Sequence, residues 1–187
     1  MTEVLRLTLV SHAMTDAMAG VRFPADEPLS DTGRRQAETV RAMEALDING
    51  DTRHFAGPER RARQTARLLG LWATTEPLLA DLDCGRWHGE TLAGVNSEEL
   101  RAWLTDPAAA PHGGESIVDL IERVADWLKS LAANTSPIVA VTHPAVIRGA
   151  ILLALEAPPK SFWRIDVAPV SRTGLHFREG RWTLRLI

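Results

Sequence analysis

Leu5-Arg6-Leu7-Thr8-Leu9-Val10-Ser11-His12-Ala13 is the stretch whose reading decides the fold. Leu5, Leu7 and Leu9 alternate with Arg6 and Thr8, the period of a β-strand. Val10 then makes the end apolar on both sides, as in a strand covered on two faces of an α/β sheet. The polar pair Ser11-His12 follows where that strand runs out. Open α/β sheets bind ligands beyond the carboxyl ends of their strands, so His12 is a candidate for chemistry. The plainer reading is a histidine that satisfies a loop carbonyl.

A second apolar run has the same ending. Ile138-Val139-Ala140-Val141 is followed by Thr142-His143-Pro144, and a helix is expected over 145–155. Between the two runs lie the other elements. Ser30-Asp31-Thr32 can cap a helix from 31 to about 46, with Ala37, Val40, Met43 and Ala45 on its apolar side. Residues 13–29, with small and polar side chains and two prolines, read as irregular loop. Asn49-Gly50-Asp51 is a turn, His54-Phe55-Ala56 a short strand, and Leu71-Trp72-Ala73-Thr74 a third. Gly57-Pro58 opens a helix over 59–69, with Pro58 at an N-terminal helical position.

That helix begins Glu59-Arg60-Arg61-Ala62-Arg63. Basic residues at a helix N-terminus oppose the macrodipole, so an anion is a candidate for the missing partner. Surface ion pairs are the plainer explanation for Arg60 and Arg63. Residues 81–89, with two carboxylates, a histidine and two glycines, form a loop. A short helix is expected over 97–104, and 106–114 is loop. A long amphipathic helix runs from 115 to about 133, with Ile117, Leu120, Ile121, Val124, Leu128 and Leu131 at helical spacing. The last stretch reads as a hairpin about Glu179-Gly180, with Leu175-His176-Phe177 against Trp182-Thr183-Leu184.

Composition bounds what this can be. The chain has 187 residues, 45% of them hydrophobic, enough for one domain (1–187) with a substantial core and an excursion over the sheet edge at about 75–114. A net charge of −3 argues against nucleic acid or an anionic membrane as partner. The single cysteine, Cys84, excludes an internal disulfide and a Cys-rich zinc site. The start of the chain lacks the pattern of a secretory leader, and the longest apolar run, near 145–155, is too short to span a bilayer. A cytoplasmic, soluble protein is expected, and a homodimer is compatible with the sequence.

Taken together and in order, the motifs resemble those of the histidine phosphatase superfamily, also called phosphoglycerate-mutase-like. The family's Arg-His-Gly is represented by Ser11-His12-Ala13. Its Ser-Pro-x-x-Arg-Ala-x-Gln-Thr-Ala appears as Gly57-Pro58-Glu59-Arg60-Arg61-Ala62-Arg63-Gln64-Thr65-Ala66. Its acidic loop appears as Asp81-Leu82-Asp83-Cys84-Gly85-Arg86-Trp87-His88-Gly89. Gly113-Gly114-Glu115-Ser116 matches the start of its long helix, and Val141-Thr142-His143-Pro144-Ala145-Val146-Ile147-Arg148 its second histidine motif. Arg22-Phe23 and Pro28-Leu29-Ser30-Asp31-Thr32-Gly33 also fit.

The resemblance implies a three-layer α/β/α sandwich with a mostly parallel central sheet. It implies that His12 is a nucleophile forming a phosphohistidine, that Arg61 and His143 clamp the phosphoryl oxygens, and that Asp81 is the general acid and base. Ser11 and Arg22 fall at the remaining phosphate-binding positions. No metal and no cofactor are implied; the substrate is a small phosphorylated metabolite. Ser11 departs from the pattern, because it removes a forked cation beside the nucleophile; losing one such donor costs about 10²–10³ in rate. Asp81 stands where glutamate is commoner. Two functions of different class follow: a phosphatase, favoured by His12, Arg61, His143 and Asp81, and a binding protein that has lost turnover, favoured by Ser11. A phosphoglycerate mutase is a weaker third, since those resemble this chain but are longer in the acidic loop.

Overall fold

A computed structural model describes residues 4–43, 50–133 and 135–186. In chain order the elements are β1 (Leu5–Ser11), α1 (Asp16–Ala19), α2 (Asp31–Ala42), β2 (Arg53–Ala56), α3 (Arg60–Leu68), β3 (Thr74–Thr75), α4 (Ser97–Thr105), α5 (Ile117–Leu131), β4 (Ile138–Thr142), α6 (Pro144–Ala154), β5 (Arg172–Arg178) and β6 (Arg181–Arg185). The strands form one sheet in the order β3-β2-β4-β1-β5-β6. β3, β2, β4 and β1 run parallel, and β5 and β6 complete the far edge as an antiparallel hairpin.

Alternation along the strands divides the core into two. Leu5, Leu7 and Leu9 of β1, with Ile138 and Ala140 of β4, pack against Leu120, Val124, Trp127 and Leu128 of α5 and Val146, Ile147 and Ala150 of α6. Val10, Val139 and Val141 point the other way, onto Ala37 of α2 and Ala62 and Ala66 of α3. This is the expected sandwich of helix, sheet and helix. Fully burying a side chain such as Leu9 or Val141 is worth about 1.5–3 kcal/mol, so register is strongly fixed. No helix among the described residues is long and apolar enough to cross a membrane.

Several boundaries differ from those read in the sequence. Residues 16–19 form a short helix inside the expected loop, capped by the Thr15 hydroxyl, which accepts from the Met18 N–H at 3.2 Å. The third strand is Thr74–Thr75 rather than 71–74, because these two residues alone meet Phe55 and Ala56 in register. Leu71 instead turns into the core beneath α3. Pro58 lies just outside α3, whose cap position is Glu59. α2 ends at Ala42; the rest of its expected length, and Asn49 of the expected turn, lie outside the described residues. Met43 follows as its cap and is 72% exposed, so it does not join the apolar side. The long helix begins at Ile117 behind a capping box formed by Ser116 and Asp119. The hairpin turn has positive φ at both Glu179 and Gly180, which the right-handed twist of its strands favours.

Candidate active site

The parallel pairing of β1 with β4 builds the centre of the site. Ser11 is in register with Thr142, so the next residues, His12 and His143, leave the sheet side by side. The His12 N–H donates to the Thr142 carbonyl at 2.9 Å, and the two imidazole centroids lie 5.1 Å apart. Both rings are buried. The His12 Nδ1 lies 2.8 Å from the Ala13 carbonyl. A carbonyl only accepts, so Nδ1 carries the hydrogen and Nε2 presents its lone pair. Burial, reinforced by the nearby His143 and Arg61, lowers the His12 pKa to about 3, so the ring is neutral at ordinary pH.

α3 supplies Arg61 from its inner face. The guanidinium is buried, with 2% of the residue exposed, and its Nη2 donates to Asp81 Oδ2 at 2.7 Å. Arg61 is thus the exception among the arginines that begin this helix. Arg60 and Arg63 are exposed, and the Arg60 backbone N–H is met by Asp26 Oδ1 at 2.6 Å. The same inner face carries Thr65, whose hydroxyl accepts from the Ala13 N–H at 3.0 Å and donates to the Arg61 carbonyl at 2.8 Å. One helix therefore fixes both the residue after His12 and the buried cation.

Asp81 comes from the loop after β3. Its Oδ1 accepts from the Leu82 N–H at 2.8 Å, and its Oδ2 lies 3.4 Å from His143 Nδ1. Burial alone would raise its pKa. The charges of His143 and Arg61 more than reverse this and hold the carboxyl well below the usual range, so Asp81 is ionised in the ligand-free chain.

Glu59 completes this group, and sequence reasoning missed it. It occupies the cap position of α3 but makes no side-chain capping bond. Its two oxygens go elsewhere: Oε2 to His143 Nε2 at 2.7 Å and Oε1 to the Asp81 N–H at 2.9 Å. Gly57 makes this possible. A β-carbon there would stand 2.7 Å from the Leu79 carbonyl, 3.0 Å from His143 Nε2 and 3.2 Å from Glu59 Oε2. The available signal was a glutamate at a cap position, where Ser, Thr, Asp and Asn are preferred.

Three buried nitrogens in this group have no hydrogen-bond partner: the donors Arg61 Nε and Arg61 Nη1, and His143 Nδ1, whose role depends on the tautomer. Orphaned buried polar atoms are costly, and here they belong to the two side chains expected to hold phosphoryl oxygens. His12, Asp81 and His143 also offer ligand atoms within 4.8 Å of one another. Arg61, salt-bridged to that same Asp81, places a fixed positive charge where a metal cation would sit. The donor set suits an anion.

The other expected residues fall differently. Ser11 is fully buried; its hydroxyl makes only a long 3.4 Å contact to the His12 carbonyl, and it does not line the cavity over His12. Arg22 is exposed at the mouth of that cavity, with Nη1 3.4 Å from the Gly89 carbonyl. The cavity holds about 190 Å³ and is walled by Phe23, Trp103, Phe162 and Trp163. Arg148, part of the second histidine motif, enters from α6. It donates from Nε to the Ile165 carbonyl at 2.8 Å and lies 5.6 Å over Phe162 and 5.5 Å over Trp163.

Comparison with known proteins identifies the family. The family model described as histidine phosphatase superfamily (branch 1) matches residues 7–187. A glucosyl-3-phosphoglycerate phosphatase of Mycolicibacterium vanbaalenii is 32% identical over 183 residues, covering 87% of this chain and 79% of that protein. Its namesake in Mycobacterium tuberculosis is 32% identical over 177 residues, covering 84% and 78%. The mycobacterial glucosyl-3-phosphoglycerate phosphatase solved with VO3 superposes with a TM-score of 0.84 at 28% identity, over 97% of this chain and 98% of that one. The chain belongs to the histidine phosphatase superfamily, branch 1.

Proposed function

We propose that the protein is a phosphatase that hydrolyses a compact phosphomonoester through a phosphohistidine at His12. The observation that carries this reading is the neutral His12, its Nε2 free, beside three unpartnered nitrogens of Arg61 and His143. Phosphoryl transfer needs mostly positioning and charge stabilisation, which this arrangement supplies. Phosphoryl oxygens on Arg61 and His143 put phosphorus in front of Nε2. The N–P bond forms as the bond to the alcohol oxygen breaks, and Asp81 delivers a proton to that oxygen. Water then attacks the phosphohistidine, Asp81 takes the proton, and inorganic phosphate leaves.

Asp81 is ionised before substrate arrives, so its proton has a source to be named. A bound phosphate draws Arg61 and His143 toward its own charge, which weakens their hold on the carboxylate and raises its pKa. A phosphomonoester monoanion, whose second ionisation lies near pH 6, carries in the proton required. Mildly acidic pH is the expected working range. Glu59 acts as a positioning residue: it orients His143 through Nε2 and tethers the backbone of the acid.

The alcohol part of the substrate meets an aromatic wall that carries Arg148, with Arg22 at the cavity mouth. The relatives named for glucosyl-3-phosphoglycerate support a small phosphorylated substrate as the general class. For this chain the wall favours a ring or short aliphatic alcohol, with Arg148 and Arg22 placed to meet a further anionic group.

The test uses purified protein and a ³²P-labelled aryl phosphate. A base-stable, acid-labile label that vanishes in His12→Ala is expected, together with release of phosphate. Asp81→Asn is expected to cost about 10²–10⁴ on an alkyl phosphate and less on the aryl ester, whose leaving group needs no proton. Equal damage to both would remove Asp81 from the leaving-group step. Ser11 favours a second reading, a phosphate-binding protein without turnover. Tight vanadate binding with neither label nor phosphate release would establish it in place of the first.

A further inference from the structure

The arginines of α3 are only partly used by the site around His12. Arg61 turns inward, but Arg63 and Arg67 lie exposed on the outer flank, four residues apart, where like charges repel. Arg41 of α2 joins them; its guanidinium rests against Gly70, 3.4 Å from where a β-carbon on that glycine would stand. These three cations border an open groove of about 720 Å³, on the far side of α3 from Arg61 and far larger than the 190 Å³ over His12. Among the described residues no carboxylate lines the groove, and none forms an ion pair with Arg41, Arg63 or Arg67. This concentration of one sign occurs in a chain whose net charge is −3.

The floor is apolar, with Ala56, Ala66 and Leu71. At the rim stands Trp72, 94% exposed, the most exposed large apolar side chain among the described residues. Thr74 and Thr75 of the edge strand β3 add hydroxyls beside it. The chemistry of these walls is complementary to one kind of molecule. Guanidinium forks match phosphate oxygens, and three of them call for more than one phosphate. An indole face with nothing stacked on it suits a planar base. The volume falls in the range of small-molecule sites.

We propose that this groove is a second ligand site, separate from His12, that binds a nucleoside di- or triphosphate. Its phosphates lie among Arg41, Arg63 and Arg67, its base stacks on Trp72, and its ribose faces the Thr74 and Thr75 hydroxyls. The site lies on the outer flank of the helix whose inner face holds Arg61 and Thr65.

Calorimetric titration of the full chain with ADP, with orthovanadate saturating the His12 site, tests the proposal. One-to-one binding of ADP is expected, tighter than AMP or pyrophosphate. Arg63→Glu with Arg67→Glu should weaken ADP by about tenfold or more. Trp72→Ala should bring ADP down to the level of pyrophosphate while leaving pyrophosphate unchanged. All three residues are exposed, so melting temperatures near wild type are expected; should charge reversal unfold the chain, Arg63→Gln with Arg67→Gln replaces it. Absence of ADP binding at millimolar concentration overturns the proposal. So does binding that vanadate or His12→Ala abolishes while the arginine variants spare it, since that ligand belongs to the catalytic pocket. Equal affinity for ADP and pyrophosphate overturns the stacking on Trp72. Because the His12 site is blocked throughout, failure here leaves the phosphatase reading untouched, and failure of the label experiment leaves this one untouched.

Discussion

Glu59 is the residue on which the geometry of the site turns. Its carboxylate joins His143, at the end of β4, to Asp81, in a loop from the sheet edge, with both bonds under 3 Å. Glutamine has the same shape but only one accepting oxygen, so it cannot accept from both Nε2–H and the Asp81 N–H. Glu59→Gln should therefore lower kcat by about 10²-fold, the usual cost of a small misplacement, with little change in KM. Glu59→Asp should recover part of the loss, and the pH profile of kcat should shift; an unchanged profile would reduce Glu59 to a structural role. Ser11 is the other decisive residue. Arg60 and Arg63 face outward, and the two arginines that share the cavity with His12 are engaged elsewhere, Arg22 by the Gly89 carbonyl and Arg148 by the Ile165 carbonyl and the aromatic wall. Ser11→Arg is expected to raise kcat/KM on an aryl phosphate about tenfold, by returning one oriented donor next to His12. Since Ser11 is fully buried, a lower melting temperature should accompany the gain. A clear loss of activity with the fold intact would show that the site does not accept the added cation.

At the scale of elements, two helices place the chemistry. α3 presents Arg61 and Thr65 to the site and Arg63 and Arg67 to the outer groove. α5 does its work through Arg123. Its guanidinium donates to the carbonyls of Leu78 at 2.7 Å and Ala80 at 3.0 Å, and grips Glu115 through two bonds of 2.7 and 2.8 Å. This clamps the segment leading into Asp81 onto α5. Arg123→Leu removes the clamp and leaves partly buried carbonyls and a carboxylate unpaired. A loss of roughly 2–3 kcal/mol in stability is expected, together with reduced kcat as Asp81 loses its footing. Chemical denaturation and steady-state kinetics check both; normal kcat in a destabilised variant would separate the clamp from the chemistry.

For the whole molecule, the buried groups of the site make stability depend on pH. His12 has a folded pKa of about 3, below its unfolded value near 6.5. Between those values the unfolded chain binds a proton that the native chain does not, so stability falls as pH falls through that window. The slope reaches about 1.4 kcal/mol per pH unit. Asp81 and Glu59, both held below the usual carboxylate range, add a second loss that begins only below about pH 4, where the unfolded carboxylates protonate. Melting temperature should fall from pH 7 to pH 5, and His12→Asn should flatten that fall without altering the acid limb. A variant with the wild-type slope would assign the effect to another histidine, the buried His112 or the half-buried His54, whose pKa is also lowered by burial.

The sequence by itself determined the sheet and its active edge. Alternation in 5–10 and the apolar run 138–141 set two adjacent strands, and each passes directly into a histidine; parallel pairing then requires His12 and His143 to meet. Periods of two and of 3.6 residues are local properties, so they are legible without coordinates. Arg61 and Asp81 were legible through motif order. What only the tertiary structure decided is which groups at that edge hydrogen-bond to one another. Glu59 bonds to residues 22 and 84 positions away in the chain, and Arg123 to carbonyls 43 and 45 positions away. No local pattern encodes such contacts. The same holds for the division of labour among the arginines of α3. Their sequence is one basic run, but the helix is packed on one side, which buries Arg61 against Asp81 and leaves Arg63 and Arg67 to solvent. Packing, by setting burial and neighbours, turned identical side chains into different chemical groups.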